Sequence, residues 1–449
     1  MKFVLPAVLS AVVSFVCSCT SNTDLERSLS SAGPNRTELE AVLNHYRTVD
    51  NNPDKLRSAE FLIENMPIHY SYAGEEIYDY YNYAARILAD TRLTPEQQRD
   101  SLLLITEKNY SDLPAKTVPD AQKISADYLI WNIDKSYEQW KTCPWANQVT
   151  FEQYLEWMLP YKGAELQEFD AWRDTLFAYY GACLANCIKN DVEYQTVMQV
   201  ADTMRIEACN MLNRHYLDSK AGLPLLSDYL QVRQSYGNTP DYVLTALLTF
   251  RSAGLPAVID ETPVGARGTA ATQWYVIYSD RGEEYTSEWD LSTDIGVGFF
   301  PYERGPKVYR NTYAINKERE EYLRKSKYKY PFELGKQDVT THYFLTSNIE
   351  IPVKMSVRSH LKDKYVYIAS AVRDENNPWQ IVDFGKIRHG KACFDDMGRE
   401  VLYVVMGYDG NKLIPITEPF ILHKNERIEY VSAETISSPS LDRWKNNAL

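Results

Sequence analysis

The chain has 449 residues, 44% of them hydrophobic, and a formal net charge of −13 at neutral pH. This length and composition predict two or three domains with sizeable hydrophobic cores. An acidic chain without a basic cluster is not expected to bind nucleic acid. Its seven histidines are scattered without the spacing of metal ligands, so neither a metal nor another cofactor is predicted.

Residues 1–18 have the composition of a signal peptide. Lys2 is the only charged residue, and the apolar run that follows is too short to span a bilayer. The segment ends Val16-Cys17-Ser18-Cys19, which resembles the lipobox of bacterial lipoproteins and implies a lipid on Cys19. An ordinary cleaved secretory signal is the alternative, although small residues of the A-x-A kind are typical of its cleavage site.

Residues 19–33 are polar and rich in serine, which is typical of a tether between a lipid and a folded body. We therefore expect a protein of the cell envelope, held at the periplasmic or the surface face of the outer membrane. Its only link to the bilayer would be the lipid.

Residues 34–220 have mainly helical periodicity, which predicts an N-terminal helical array. Thr94-Pro95-Glu96, for example, combines a capping threonine with a proline in the first turn. The chain has 34 tyrosines. Their rings suit a surface that binds sugars or peptides, and they equally suit half-buried positions between helices.

Five cysteines lie outside the signal and lipobox, an odd number that does not indicate a disulfide framework. Cys183 and Cys187 are four residues apart and share a helix face, so either could pair with Cys209 in an oxidising compartment. The alternative is that all three are small buried hydrophobic residues.

The segment from Tyr236 to Asp290 predicts a capped helix followed by strands. Thr239 can cap the helix with its hydroxyl, Pro240 suits the first turn, and Gly254 can end the helix in the left-handed conformation. The strands predicted after it are Leu255–Ile259, Gln273–Tyr278 and Glu284–Trp289.

This arrangement resembles the core of the transglutaminase-like superfamily, which shares the Cys-His-Asp site of papain-type enzymes. The matching residues are Gly254-Leu255-Pro256-Ala257, Trp274 and Trp289-Asp290. The resemblance implies a papain-type α+β core over residues 221–330. In addition, the stretch Lys55–Tyr72, which includes Ala59–Pro67, is similar to one that precedes this core in lipoproteins of Bacteroidetes.

The resemblance also implies a degenerate catalytic site. Thr239 stands where the family has its cysteine and Thr272 where it has its histidine, so only Asp290 matches. A threonine hydroxyl gains little from a helix dipole and needs a general base within hydrogen-bond reach. No histidine occurs between His215 and His342, so the strands supply no such base. The three positions are therefore predicted to be vestigial.

Residues 335–434 predict a β-sandwich, because short runs rich in Val, Ile and Tyr alternate with turn residues. Asp409-Gly410 is the clearest hairpin turn. Residues 435–449 are a polar tail. The predicted fold class is thus α+β, with a helical array, a papain-type core and a C-terminal β-sandwich.

Three functions are consistent with the sequence. The first is a non-catalytic lipoprotein whose cleft binds a peptide or a glycan, with Trp274 and Trp289 lining it. Core packing is the alternative role of both rings. The second is a hydrolase or acyltransferase of altered mechanism that uses Thr239, His389 or Cys393. The third is a structural or assembly lipoprotein.

Overall fold

The structure is a computed structural model, and it confirms the α+β class. It describes residues 17–105, 116–146, 148–178, 200–201, 215–216, 236–237, 239–265, 268, 271–278, 283–286, 296–297, 304–373 and 378–431. Asp290, Trp289, Cys183, Cys187 and Cys209 lie outside these ranges, as do residues 1–16 and the tail. None of the helices in the described ranges has the length and hydropathy of a membrane span.

The N-terminal region is helical, as predicted. Its helices are α1 (Cys17–Ser31), α2 (Arg36–Asn44), α3 (Pro53–Asn65), α4 (Glu75–Ala89), α5 (Pro95–Ile105), α6 (Ala126–Thr142) and α7 (Phe151–Trp157). Local sequence sets their starts: the Asn52 side chain accepts two backbone N–H groups at the start of α3, and Thr150 forms a capping box at α7. Strands β1 (Tyr70–Tyr72) and β2 (Thr117–Pro119) form an antiparallel pair that follows α3 and precedes α6.

Helix α1 does not behave as the polar tether predicted for residues 19–33. Leu25 and Leu29 are four residues apart and lie on one helix face, where they are buried in the core of the helical region. The Asp24 carboxylate also pairs with Lys317 at 2.9 Å. Ser30 and Ser31 lie on the exposed face of this docked helix, whereas Ser28 is buried.

The central region is a six-stranded antiparallel sheet with one long helix on one face. The helix is α8 (Thr239–Ser252), so Thr239, the residue predicted to cap the helix, is its first residue. Two short strands before it, β3 (His215–Tyr216) and β4 (Tyr236–Gly237), pair in parallel. The sheet order is β10 (Lys336–Asp338), β9 (Tyr309–Asn311), β5 (Ala257–Thr262), β6 (Thr272–Tyr278), β7 (Glu284–Thr286) and β8 (Gly296–Val297).

The two faces of this sheet belong to different cores. On β5 and β6, Ile259 and Tyr275 pack against α8, whereas their neighbours Val258 and Trp274 belong to the core of the helical region. This alternation follows from the two-residue period of a strand. Tyr313, just after β9, is also buried in the helical core, so the helical region and the sheet share one hydrophobic interior.

Gly254 ends α8 in the left-handed conformation, as predicted, with φ of +77°. A Cβ atom at this position would lie 2.6 Å from the Sγ atom of Cys143. The neighbouring Ala253 carbonyl accepts the indole N–H of Trp145 at 2.8 Å. The turn is therefore fixed both by its backbone conformation and by close packing against the helical region.

The C-terminal region is one curved antiparallel sheet of eight strands, shaped like half of a barrel, and the two-sheet sandwich predicted for it is wrong. The sheet contains β11 (Thr346–Pro352), β12 (Tyr365–Ala371), β13 (Trp379–Arg388), β14 (Lys391–Gly398), β15 (Val401–Tyr408), β16 (Leu413–Pro415), β17 (Phe420–Leu422) and β18 (Ile428–Tyr430). Their order is β11-β14-β13-β12-β15-β17-β18, and β16 pairs with β15. The predicted turn at Asp409-Gly410 joins β15 and β16, and Gly410 has a φ of +109°.

Both faces of this sheet are covered, but, among the described residues, neither is covered by a second sheet. On β12, Val366 and Ile368 face an aliphatic core, while Tyr365 and Tyr367 pack against Tyr322 of α9 (Lys317–Lys325) and neighbouring aromatic rings. The layer against this face of the sheet is therefore α9 with an aromatic loop. Another helix of the region, α10 (Met355–Arg358), has only one turn.

Candidate functional site

Two of the predicted catalytic positions lie at the starts of different elements of the central region. Thr239 is the first residue of α8, and Thr272 is the first residue of β6. Trp274, two residues after Thr272, lies on the sheet face opposite α8. By strand alternation, Thr272 is directed to that same face and away from α8. Asp290, the third predicted position, lies outside the described residues.

Trp274 is a core residue and does not line an open groove. Its side chain is 3% exposed, and its indole N–H donates to the Tyr343 hydroxyl at 3.0 Å. Its ring makes an edge-to-face contact with the ring of Tyr343. The alternative interpretation of this tryptophan, core packing, is the one that its environment supports.

His389 and Cys393, the other residues of the altered-mechanism hypothesis, lie in the C-terminal sheet, whereas Thr239 begins α8 in the central region. His389 lies in the turn between β13 and β14, and Cys393 lies on β14 opposite Glu350 and Lys386. Burial raises the pKa of the Cys143 thiol to about 12, so this cysteine is not an activated nucleophile. Among the described residues, no group of histidines, cysteines and carboxylates could hold a metal ion.

A cavity of about 580 Å³ lies where the helical region meets the β10 edge of the central sheet. It is next to the C-terminal half of α8, whereas the predicted catalytic cleft is at the start of that helix. Its walls come from the segment after α3, the loop after α7, the α8 helix, and strands β5, β9 and β10. The lining comprises 67–70, 160, 162–165, Leu247, Arg251, Ile259, Glu261, 311–313 and 333–336.

One wall of this cavity is a closed network of charged groups around His69. The Nδ1 atom of His69 lies 2.6 Å from the Glu165 carboxylate, and its Nε2 atom lies 2.9 Å from the Tyr313 carbonyl oxygen. Both partners are hydrogen-bond acceptors, so each ring nitrogen lies against an oxygen atom. The ring also stacks on Tyr313 with 4.2 Å between centroids. His69 therefore has no free nitrogen with which to act as a base.

Lys162 and Glu165 complete this network. Lys162 is 4% exposed and pairs with the buried Asp120 carboxylate at 2.6 Å and with Glu165 at 3.2 Å. Burial alone would raise the pKa of Glu165, but His69, Lys162 and the Tyr70 N–H outweigh it and hold this pKa at about 2. Glu165 is thus ionised at neutral pH, and both of its oxygens have hydrogen-bond partners.

The back of the cavity is held by two buried arginines. The Arg251 guanidinium donates to the carbonyls of Ala257 at 3.0 Å, Lys162 at 3.3 Å and Glu156 at 3.3 Å. Arg173 donates to the carbonyls of Met158 and Pro160 in the same loop, at 2.6 and 3.1 Å. Burial, together with the charge of Arg173, lowers the pKa of Arg251 to about 9. These side chains fix the shape of the loop that forms one wall.

The opposite wall is held by Lys336, whose ammonium is also fully engaged. It lies 2.7 Å from Glu261, 3.0 Å from Glu333 and 2.6 Å from the Asn311 side-chain oxygen. Tyr70 stands at the rim, with 41% of its surface exposed. Burial, and then the carboxylates of Glu165 and Glu333, raise the pKa of Tyr70, so its hydroxyl stays protonated.

A second charged network lies on the sheet face opposite α8 and joins four elements. Arg310 of β9 binds the fully buried Asp260 of β5 at 2.8 and 2.9 Å and Glu284 of β7 at 2.7 and 2.8 Å. The Tyr343 hydroxyl donates to Asp260 at 2.6 Å. Burial would lower the pKa of Arg310, but the two carboxylates raise it above its usual value. Each of these charged groups is bonded to at least one other group of the network, so its role is structural.

Comparison of the chain with models of protein families, with curated proteins and with solved structures gives no match. The functional interpretation therefore depends on the geometry of the described residues.

The cavity cannot be recognised in the sequence, because its polar residues are far apart in the chain. His69 lies within the stretch Lys55–Tyr72, whose resemblance to a segment of other lipoproteins is the one sequence signal near the site. Lys162, Arg251 and Lys336 each look like ordinary charged residues in the sequence.

Proposed function

We propose that this protein is a non-catalytic lipoprotein of the cell envelope that binds a peptide or a glycan in the cavity beside α8. The observation that supports this most is that the cavity has the volume of a ligand site while its histidine, lysine and arginine side chains all have partners. His69 has acceptors at both nitrogens. The Thr312 hydroxyl donates to the Ala314 carbonyl, so it has no base beside it.

The transglutaminase-like resemblance is part of this proposal. Its support is the order of elements, since α8 is followed by the antiparallel strands β5, β6 and β7 and covers one face of them. In this proposal the papain-type architecture is retained, the positions Thr239, Thr272 and Asp290 have no catalytic role, and binding takes place at the other end of the helix. The lipid anchor at Cys19 is supported by the sequence pattern of residues 16–19.

The proposal is tested on the mature chain from Thr20, which retains the docked part of α1. Binding to polysaccharides and to cell-wall peptides is measured with this protein, and each ligand is also checked for cleavage or transfer. Binding without turnover is expected. A thiol-reactive probe should leave Cys143 unmodified in the folded protein and label it after unfolding, because its pKa of about 12 keeps it protonated.

Turnover that is lost in Thr239→Val would overturn the non-catalytic assignment and favour the hydrolase or acyltransferase hypothesis. The absence of binding to every ligand class would favour a structural or assembly role. Thr340→Val is not a suitable control because that hydroxyl is buried and bonded to Asp338. Thr48→Val, at an exposed hydroxyl of the helical region, is a better one.

A further inference from the structure

The charged side chains that line the cavity already have partners. Its basic lining residues are His69, Lys162, Arg251 and Lys336, and its acidic ones are Glu165, Glu261 and Glu333. His69, Lys162 and Lys336 each lie against a carboxylate, with Asp120 directly behind Lys162 at 2.6 Å, and Arg251 donates to backbone carbonyls. A charged ligand would therefore have to displace one of these partners.

Exposure within the cavity also differs between the two signs of charge. The four basic residues are 4% to 6% exposed and lie behind the surface. The side chains of Glu333 and Glu165 are 72% and 34% exposed and stand at the mouth. An anionic ligand would meet carboxylates first and would not reach the basic groups. A cationic ligand would compete with Lys336, Lys162 and His69 for carboxylates that they already hold.

A neutral ligand rich in hydroxyl groups meets neither obstacle. Each carboxylate oxygen can accept two hydrogen bonds. Oε2 of Glu165 already accepts from the Tyr70 N–H and from Lys162, but Oε1 of Glu165 and the oxygens of Glu333 have lone pairs left for hydroxyl donors. Beside them stands the Tyr70 ring, whose hydroxyl has no partner in the described part of the chain. An exposed aromatic ring flanked by hydrogen-bond acceptors suits the apolar face and the polar rim of a sugar ring.

We infer that the ligand of this cavity is a neutral oligosaccharide, held by stacking on Tyr70 and by hydrogen bonds to Glu165 and Glu333. This inference rests on the proposed binding function and narrows it to one class of ligand. Acidic glycans and charged peptides are excluded by the distribution of charge in the cavity.

The test measures affinity by calorimetry for four probes: neutral gluco- and manno-oligosaccharides, uronic-acid oligosaccharides, lysine-rich peptides and acidic peptides. Only the neutral sugars should bind. Their Kd should change less than about twofold between about 50 and about 500 mM salt, because a neutral sugar forms no ion pair that salt could screen. Tyr70→Ala should weaken binding about tenfold, since one stacked ring contributes on this scale. Tyr430→Ala is the matched control, because that ring is 48% exposed and lies on β18.

Glu333→Gln provides a second test of the role of charge, since the amide keeps an acceptor but removes the charge. Neutral-sugar affinity should stay within about twofold, because hydrogen bonding to the side-chain oxygen is retained. Preferential binding of a charged probe that depends on Tyr70 would overturn the inference and leave the binding function standing. Neutral-sugar binding that Tyr70→Ala does not affect would also overturn it. The absence of binding by any probe would overturn the proposed function itself.

Discussion

Replacing Arg310 by methionine should destabilise the fold more than any surface substitution, because it leaves a buried charge without a partner. The Asp260 side chain is fully buried and bonded at 2.8 and 2.9 Å to Arg310, and its only other partner among the described residues is the Tyr343 hydroxyl. Glu284 is 25% exposed and still has His342 at 3.0 Å, so water can replace much of what it loses. The loss therefore comes mainly from Asp260, and breaking a buried ion pair from one side costs about 3–5 kcal/mol.

The assay is urea unfolding followed by tryptophan fluorescence. It is well placed to report this site, because the Arg310 guanidinium lies 4.8 Å from the centre of a Trp157 ring. The double variant Arg310→Met/Asp260→Asn removes the unmatched charge and should lose only about 1–3 kcal/mol, the cost of an incompletely bonded buried amide. A loss below about 1 kcal/mol in Arg310→Met, or an equal loss in both variants, would refute this account of the network.

Three further predictions concern separate parts of the fold. Gly254→Ala should destabilise more than Gly33→Ala: both have positive φ, which costs about 1–2 kcal/mol, but only Gly254 has a neighbour at 2.6 Å. A thermal-unfolding comparison that ranks them equally would show that the close contact relaxes freely. Leu29→Ala should lower the free energy of unfolding by about 2–5 kcal/mol, and Leu104→Ala should lower it much less, because the Leu104 side chain is 51% exposed. Similar losses for the two variants in urea unfolding would mean that α1 is not firmly docked. The pKa of Glu165 is lowered in the folded protein, so its contribution to folding stability is present above its ordinary pKa of 4.5 and is lost as pH falls towards about 2. The difference in stability between the unmodified protein and Glu165→Gln should therefore close over that range. A difference that stays constant would contradict this.

The sequence was sufficient for elements whose signals are local. The start of α8 at Thr239, its end at Gly254 and the turn at Asp409-Gly410 depend on capping, left-handed and turn residues within a few positions. The strands β5 and β6 likewise follow from short buried runs. In each case the residues that decide the structure are next to one another in the chain.

Features that depend on distant contacts could not be predicted in this way. The polar composition of α1 conceals two leucines that are buried by other helices. The C-terminal strands have the pattern of a sandwich, but Tyr322 of α9 and its aromatic neighbours occupy the place of the second sheet. The cavity requires His69 and Lys336 to lie in one site, although 267 positions separate them (336 − 69). No pattern of neighbouring residues predicts a contact between residues so far apart in the chain.

The docking of α1 has a consequence for where a lipid would place the cavity. Cys19 and Asp24 both lie in α1, where five residues rise only about 7.5 Å along the helix axis. Asp24 is paired with Lys317, and the adjacent Asn316 side chain donates to the Lys336 carbonyl on the cavity rim at 2.8 Å. An acyl chain on Cys19 would therefore bring the mouth of the cavity close to the phospholipid headgroups. A long polymer would then have to enter along the plane of the bilayer, and the protein would capture chains that lie against the membrane.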